Sequence, residues 1–523
     1  MHSRIRCAHL IVLVAVPAMV CAAPALAQNA PLFHFTEPPG PHSVGLKVVE
    51  QYDSSRTYRP LTDELGKPTA GERARPLQTL IWYPAEKNGG KAMTVGDYAN
   101  LAMTETSFGK PDPNTGDGWR KAMTPTLHDA MWAVRDAPLA AGRFPVVIYA
   151  PSFGAMSWEN ADLCEFLASR GYVVVASTAL GATGREMTND LAGINAQARD
   201  ISFLIGYAAT LPDADLSEAA VAGFSWGGIA NLFAAARDNR IDALVCLDGS
   251  LRYYPGLVVA AGDVHPEQMA IPLIEFTQGE FTMEDQARYL SDPAKNQGPS
   301  VLNAWTHGDL ITVHMLGMMH QEFSSMYQRN EDVWKHSADG LKADYGREDG
   351  IPGYAWVARY TAEFLDAYLK HDAAALAWLK KTPAENGVPR HFLAANFRAA
   401  SGPPATLEGF RAELGKRGFD HAGEIYARMK KDDAAFKLEE QALEGWGDDL
   451  TRDSHLPEAI AILQLNASIH TDSSDAYGLL AGAYARNGQK ELAVENYKKA
   501  LEKNPQNEDA KKGLAELESP PAK

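Results

Sequence analysis

Cysteine is scarce: four in 523 residues, and two of these, Cys7 and Cys21, fall within the first 27. A disulfide-built scaffold is excluded by that count. Cys164 and Cys246 remain, each in an apolar setting that suits a packed free thiol, with a disulfide between them the alternative in an oxidising compartment. Positive charge is also short, with 49 Lys and Arg against 66 Asp and Glu and a net charge of -17. Phosphate backbones need a basic face, so nucleic acid is not an expected partner. No apolar run is long enough to span a bilayer comfortably, and the best one, residues 8–20, predicts no transmembrane anchor. Histidines are scattered without H-x-x-x-H spacing, so neither a metal nor a cofactor is expected.

The chain does begin with a targeting pattern. His2, Arg4 and Arg6 precede the apolar run, and Ala25-Leu26-Ala27 is the small-x-small signature of signal-peptidase cleavage. Cys21 follows Val20 where a lipoprotein would carry a small residue. Residues 1–27 therefore read as a signal peptide, removed after Ala27, and the product as periplasmic or secreted. Its loss moves the net charge from -17 to -19. Residues 28–42, rich in proline, read as a flexible leader. The remaining length calls for two or more domains.

The centre of the first domain is Gly223-Phe224-Ser225-Trp226-Gly227-Gly228. An apolar run at 219–222 precedes it, and Ile229, Leu232, Phe233 and Ala236 follow at helical spacing. A glycine-rich chain can carry Gly-x-Ser-x-Gly by chance. Between a strand and a helix, however, the motif is a nucleophile elbow. The turn lifts the serine hydroxyl above the sheet, and side chains two residues either side would collide.

Around this motif, short apolar runs at 45–52, 77–83, 145–150, 171–177, 243–248, 272–276 and 310–316 read as strands. Helices are expected at 163–169, 189–209, 229–240 and 353–381. The stretch 85–141 reads as an insertion with some helix. Strands alternating with helices predict a mostly parallel α/β sheet covered on both faces, with ligands at the C-terminal strand ends.

A serine nucleophile needs a base, and the base an orienting carboxylate, in the chain order Ser, acid, His. Asp248, at the end of an apolar strand and before Gly249-Ser250, and Glu280 are the acid candidates. For the base, His320 lies just past the last strand, His307 lies in a polar turn, and His314 lies inside a strand. The backbone N–H of Trp226 is the expected first oxyanion donor. Phe153, in Pro151-Ser152-Phe153-Gly154, is the expected second, because Pro151 has no N–H. Tyr253, Tyr254, Met326, Tyr327 and Trp334 either line an acyl cavity or belong to the core.

From residue 407 the composition changes to Ala, Leu, Glu and Lys at helical spacing. Ser474, Tyr477, Leu480, Tyr484, Ala493, Tyr497, Ala500 and Pro505 fit a 34-residue tetratricopeptide unit. Trp446, Gly447, Ala459 and Leu463 form a weaker copy one period earlier. Two copies do not make a stable solenoid, so helices within 407–438 and a capping helix at 508–517 are expected to complete it.

The elbow, Leu247-Asp248-Gly249 and His320-Gln321-Glu322-Phe323 together resemble platelet-activating factor acetylhydrolase and its bacterial, dienelactone hydrolase-related α/β-hydrolase relatives. The resemblance covers residues 44–379 and implies a triad of Ser225, Asp248 and His320. The relatives commonly carry His-Gly where this chain has Pro151-Ser152. The expected organisation is an α/β-hydrolase domain (43–383), a linker (384–406) and an all-α tetratricopeptide-like domain (407–523). The expected substrate is a short-chain or lipid-like carboxylic ester, with an amide or peptide as the alternative. A different class of reading leaves the hydrolase domain as scaffold, with the repeats binding a protein partner or mediating self-association.

Overall fold

The computed structural model describes residues 33–63, 65–87, 89–111, 117–279, 300–330 and 345–519. The expected signal peptide, Glu280 and Trp334 lie outside the described residues.

Eleven strands form one sheet among the described residues. They are β1 (Ser43–Thr57), β2 (Ala74–Ala85), β3 (Ala92–Thr94), β4 (Ala130–Arg135), β5 (Phe144–Ala150), β6 (Val173–Ser177), β7 (Ala214–Phe224), β8 (Ala243–Leu247), β9 (Leu273–Gln278), β10 (Leu310–Met315) and β11 (Leu393–Arg398). Their order is β11-β10-β9-β8-β7-β5-β6-β2-β1-β4-β3. The block from β6 through β5, β7, β8 and β9 to β10 is parallel. Next to it, β2 runs antiparallel to both β6 and β1, while β1 runs parallel to β4.

Alternation along each strand sends residues to opposite, equally dry faces. Val147, Tyr149, Ala220 and Ala222 belong to one core with the helices Ala161–Ser169 and Arg347–Leu369, through Phe166, Val357 and Phe364. Val146, Ile148, Ala219 and Val221 belong to the other, with Leu191–Ala208 and Trp226–Ala235, through Ile201, Leu204, Ile229 and Phe233. Asp190 starts the third of these helices by accepting the Gly193 N–H at 3.0 Å. Cys164 and Cys246 are buried free thiols, one in each core, and burial pushes both thiols well up.

This is the α/β-hydrolase-type arrangement, with an all-helical region following it. From β5 the chain crosses to β6 on one side, then returns to β7 on the other. The C-terminal ends of β5 and β7 therefore open at a switch point, where such sheets place their ligands.

Four local expectations are corrected. Within the proline-rich leader, Phe33 is buried and packs edge-on to Tyr354, while Phe35 packs on Phe166 and Trp132. Two aromatic anchors hold residues that carry no periodic pattern. The insertion at 85–141 contributes β3 and β4, which extend the sheet beyond β1. The helix expected over 353–381 is two, Arg347–Leu369 and Ala373–Leu379. His371 adopts a left-handed φ of 53° between them, and Asp372 caps the second by accepting the Ala374 N–H at 2.7 Å. Finally, the connection at 384–406 contains β11, antiparallel to β10. Flanking Gly387 and Pro389 hide so short an edge strand in the sequence.

Seven helices run from Leu407 to Glu518. Phe410, Leu414, Ile425, Met429, Leu443 and Ile462 make one core; Leu463, Ala476, Leu480 and Tyr484 make the next. A Cβ on Gly447 would lie 2.5 Å from the Leu463 side chain, so glycine sets how closely Glu440–Arg452 and Leu456–Ile469 approach.

Candidate active site

Ser225 joins β7 to the helix Trp226–Ala235 at φ 54° and ψ −117°, a conformation that L-residues avoid. Such backbone costs about 1–3 kcal/mol and persists only where its surroundings enforce it. Here the Ser225 N–H donates to the Leu247 carbonyl at 3.1 Å. Its own carbonyl accepts the N–H groups of Gly228 at 3.0 Å and Ser250 at 2.7 Å. The two flanking glycines are sterically required. A Cβ on Gly223 would lie 2.7 Å from Asn231 Nδ2, and one on Gly227 would lie 2.1 Å from the Ala150 carbonyl oxygen.

Asp248 follows β8 on the adjoining turn, also with positive φ (43°), and its N–H donates to Phe276 O at 3.0 Å. His320 opens a short 3-10 turn, His320–Phe323, beyond β10. Its Nδ1 lies 2.5 Å from Asp248 Oδ2, and its Nε2 lies 2.9 Å from Ser225 Oγ. An ionised carboxylate only accepts hydrogen bonds, so Nδ1 carries the hydrogen and Nε2 is left to accept the serine proton. Three residues separated widely in the chain thus form one line of hydrogen bonds.

Asp248 is fully buried and accepts two further bonds, from Tyr253 OH at 3.1 Å and the Gln278 N–H at 3.3 Å. Burial pushes its carboxyl up. The hydrogen bond and charge of His320, with the Arg252 charge and the Gln278 N–H, outweigh that and hold it below the usual range. It is therefore ionised wherever the imidazole needs orienting. Glu275 on β9 is buried nearby, and its own burial drives its carboxyl well up, away from competition with Asp248.

The helix Trp226–Ala235 points its N-terminus at Ser225. Among the described residues, neither the Trp226 N–H nor the Phe153 N–H has a hydrogen-bond acceptor. The Phe153 ring is 45 % exposed and meets Trp226 edge-on at 5.6 Å. Tyr254 also meets Trp226 edge-on, at 5.4 Å, Phe224 lies 4.8 Å from the His320 ring, and Tyr327 lies 6.3 Å from Phe224. Tyr254 and Tyr327 thus border the site, whereas Tyr253 and Met326 are buried. Of the other histidines, His307 Nδ1 lies 2.7 Å from the Gly402 carbonyl oxygen and His314 Nδ1 lies 2.8 Å from Thr277 Oγ1. No group of three or more His, Cys, Asp or Glu converges as metal ligands would, among the described residues.

No protein-family model and no curated protein matches the chain. Among solved structures it is similar to a ferulic acid esterase from Streptomyces cinnamoneus. The two are 19% identical at a TM-score of 0.45, over 65% of this chain and 93% of that one.

Two neighbours of the site escape sequence reasoning. Tyr253, bonded to Asp248, reads as one more aromatic residue in a loop. Glu159 is wholly buried behind the loop that carries Phe153. Burial pushes its carboxyl up to about 7, against hydrogen bonds from Ser152 and Tyr149 and the charge of His320. In Trp158-Glu159-Asn160, just ahead of a helix, a Glu-Asn pair reads as ordinary helix-start chemistry, and nothing in it signals burial.

Proposed function

We propose that the chain is an exported serine hydrolase that cleaves a short-chain or lipid-like carboxylic ester through an acyl-enzyme. The observation that carries this reading is the line from Asp248 through His320 to Ser225, at 2.5 and 2.9 Å, on a strained turn whose next residue, Trp226, has no acceptor for its N–H among the described residues. Ser225 Oγ attacks the ester carbonyl as its proton passes to His320 Nε2. The Trp226 and Phe153 N–H groups receive the oxyanion. His320 then returns the proton to the departing alkoxide oxygen, and the C–O bond breaks. A water, deprotonated by the same imidazole, attacks the acyl-enzyme and releases the acid and free Ser225.

The test is labelling by a fluorophosphonate, which reacts with an activated serine. Wild type is expected to label, and Ser225→Ala and His320→Ala are not. Folded wild type that stays unlabelled would end the reading.

We also propose that residues 407–523 form a tetratricopeptide-like domain, serving a protein partner or self-association rather than turnover. Their helices border a cleft of about 460 Å³ lined in part by Asp448, Asp475, Arg486 and Tyr497. Removing residues 407–523 is expected to leave ester turnover in place, and a loss of turnover from a folded remainder would refute that division of labour.

A further inference from the structure

Glu159 lies in the turn after β5, immediately before the helix Ala161–Ser169, and none of it is exposed. A carboxyl taken so far from water is costly unless its oxygens are well supplied with donors. Oε2 accepts the Ser152 N–H at 2.9 Å and Tyr149 OH at 3.2 Å; Oε1 accepts the Ser152 hydroxyl. Both donors on Ser152 are thus committed to one carboxylate, and the next residue is Phe153, with its unpaired N–H.

The other side of the turn binds the histidine segment. The Glu159 carbonyl accepts Ser324 Oγ at 3.0 Å and the Met326 N–H at 3.1 Å. Asn160 Nδ2 donates to Tyr149 OH at 2.6 Å and to the Phe323 carbonyl at 2.9 Å. Asn160 Oδ1 accepts the Ser325 N–H at 2.8 Å and Tyr354 OH at 2.9 Å. All of these groups are buried. Two adjacent residues therefore hold the loop that presents one oxyanion donor, the last residue of the 3-10 turn bearing His320 and the three residues that follow it.

We propose that Glu159 and Asn160 are positioning residues that fix the Phe153 loop and the His320 segment to each other, so that oxyanion donor and base are delivered in register to Ser225. This rests on the serine-hydrolase reading above. It also accounts for Pro151-Ser152 standing where the relatives named above carry His-Gly. Ser152 supplies an N–H and a hydroxyl to the same buried carboxylate, and that pair of bonds holds the loop's shape.

The experiment uses the full mature chain, and a fluorophosphonate as the probe, with saturation kinetics separating the maximal labelling rate from half-saturation. Glu159→Gln keeps the shape of the side chain but turns one acceptor into a donor facing Ser152. Misplaced donors cost about 10- to 100-fold in rate. A drop of that size in the maximal rate is expected, with half-saturation within about threefold, because only groups engaged in the reaction's transition state have moved. Ser152→Ala, which deletes one bond and leaves Glu159 in place, is expected to fall between wild type and Glu159→Gln. The double variant is expected to fall no further than Glu159→Gln, since both changes break the same link. Ser152→Ala also serves if Glu159→Gln does not fold.

Unchanged labelling in folded Glu159→Gln overturns the proposal while leaving the serine-hydrolase reading intact. Rate and half-saturation worsening together with melting temperature also overturn it, in favour of a general packing role. Unlabelled wild type removes both readings at once.

Discussion

The sheet domain and the helical region use charge in opposite ways. In the sheet domain, charged groups are taken into the interior. Arg75 Nε lies 2.6 Å from Asp200 with both side chains buried, Arg329 pairs with Asp162, and Glu165 and Asp248 are wholly enclosed. In the helical region the ion pairs sit on helix surfaces: Lys499–Glu495 and Arg452–Asp448 join side chains 43–66% exposed. Buried charge is costly and survives only where every partner is in place, so it specifies one arrangement of distant segments. Exposed pairs specify almost nothing. A domain that must bring together Ser225, Asp248 and His320 to within hydrogen-bond reach needs the first kind. A stack of helices, each contacting its neighbours, needs only apolar stripes.

The sharpest way to break this comparison is to neutralise the buried charge nearest the chemistry. Asp248→Asn leaves an amide beside His320 Nδ1 and favours the wrong imidazole tautomer. Turnover is expected to fall about 10⁴-fold with the fold retained. Hydrolysis within tenfold of wild type would mean that the carboxylate does not orient the base.

Glu165 tests burial away from the triad. It accepts Tyr98 OH at 2.7 Å and the Trp132 N–H at 2.6 Å, yet burial still pushes its carboxyl up to about 7. The folded value lies above the ordinary 4.5, so the folded state binds the proton more tightly. This contribution to stability is fully present below about pH 4.5 and is lost as pH rises to about 7. Glu165→Gln does not titrate. Relative to wild type, the variant is therefore expected to gain roughly 3 kcal/mol across that window, read as a widening difference in melting temperature. A difference independent of pH would show that the carboxyl titrates normally.

The same contrast explains what the sequence disclosed. Ser225 was legible because the elbow is local: Gly223 and Gly227 stand two residues away, and each sits where a Cβ would collide. The parallel strands were legible because both faces are dry, which leaves unbroken runs such as 145–150. From the residues alone, His320 and His307 both remained open as the base, and the family resemblance favoured His320. Glu159 and Tyr253 were not legible, since their partners lie in other segments or in a turn whose fold no local pattern encodes. The strands β4 and β11 were missed for a related reason: each sits at or near an edge, where the sheet imposes a weaker alternation.

In the helical region the expected effects shrink and change in kind. Gly447→Ala improves intrinsic helix propensity by about 1 kcal/mol. The added methyl would meet Leu463 at 2.5 Å, and overpacking of that sort costs about 1–3 kcal/mol, so a small net loss of stability is expected. Lys499→Ala probes charge instead. It removes an i,i+4 pair with Glu495 at 2.7 Å between half-exposed side chains, on a helix where alanine is itself favourable. The pair contributes about 0.3–0.5 kcal/mol at low salt, and the propensity gain offsets part of that. Chemical denaturation in low and high salt should therefore place the variant within about 0.5 kcal/mol of wild type, with the gap closing as salt is added. A loss above about 1 kcal/mol that persists in salt would break the comparison, because surface charge would then be holding the helical stack as buried charge holds the sheet domain.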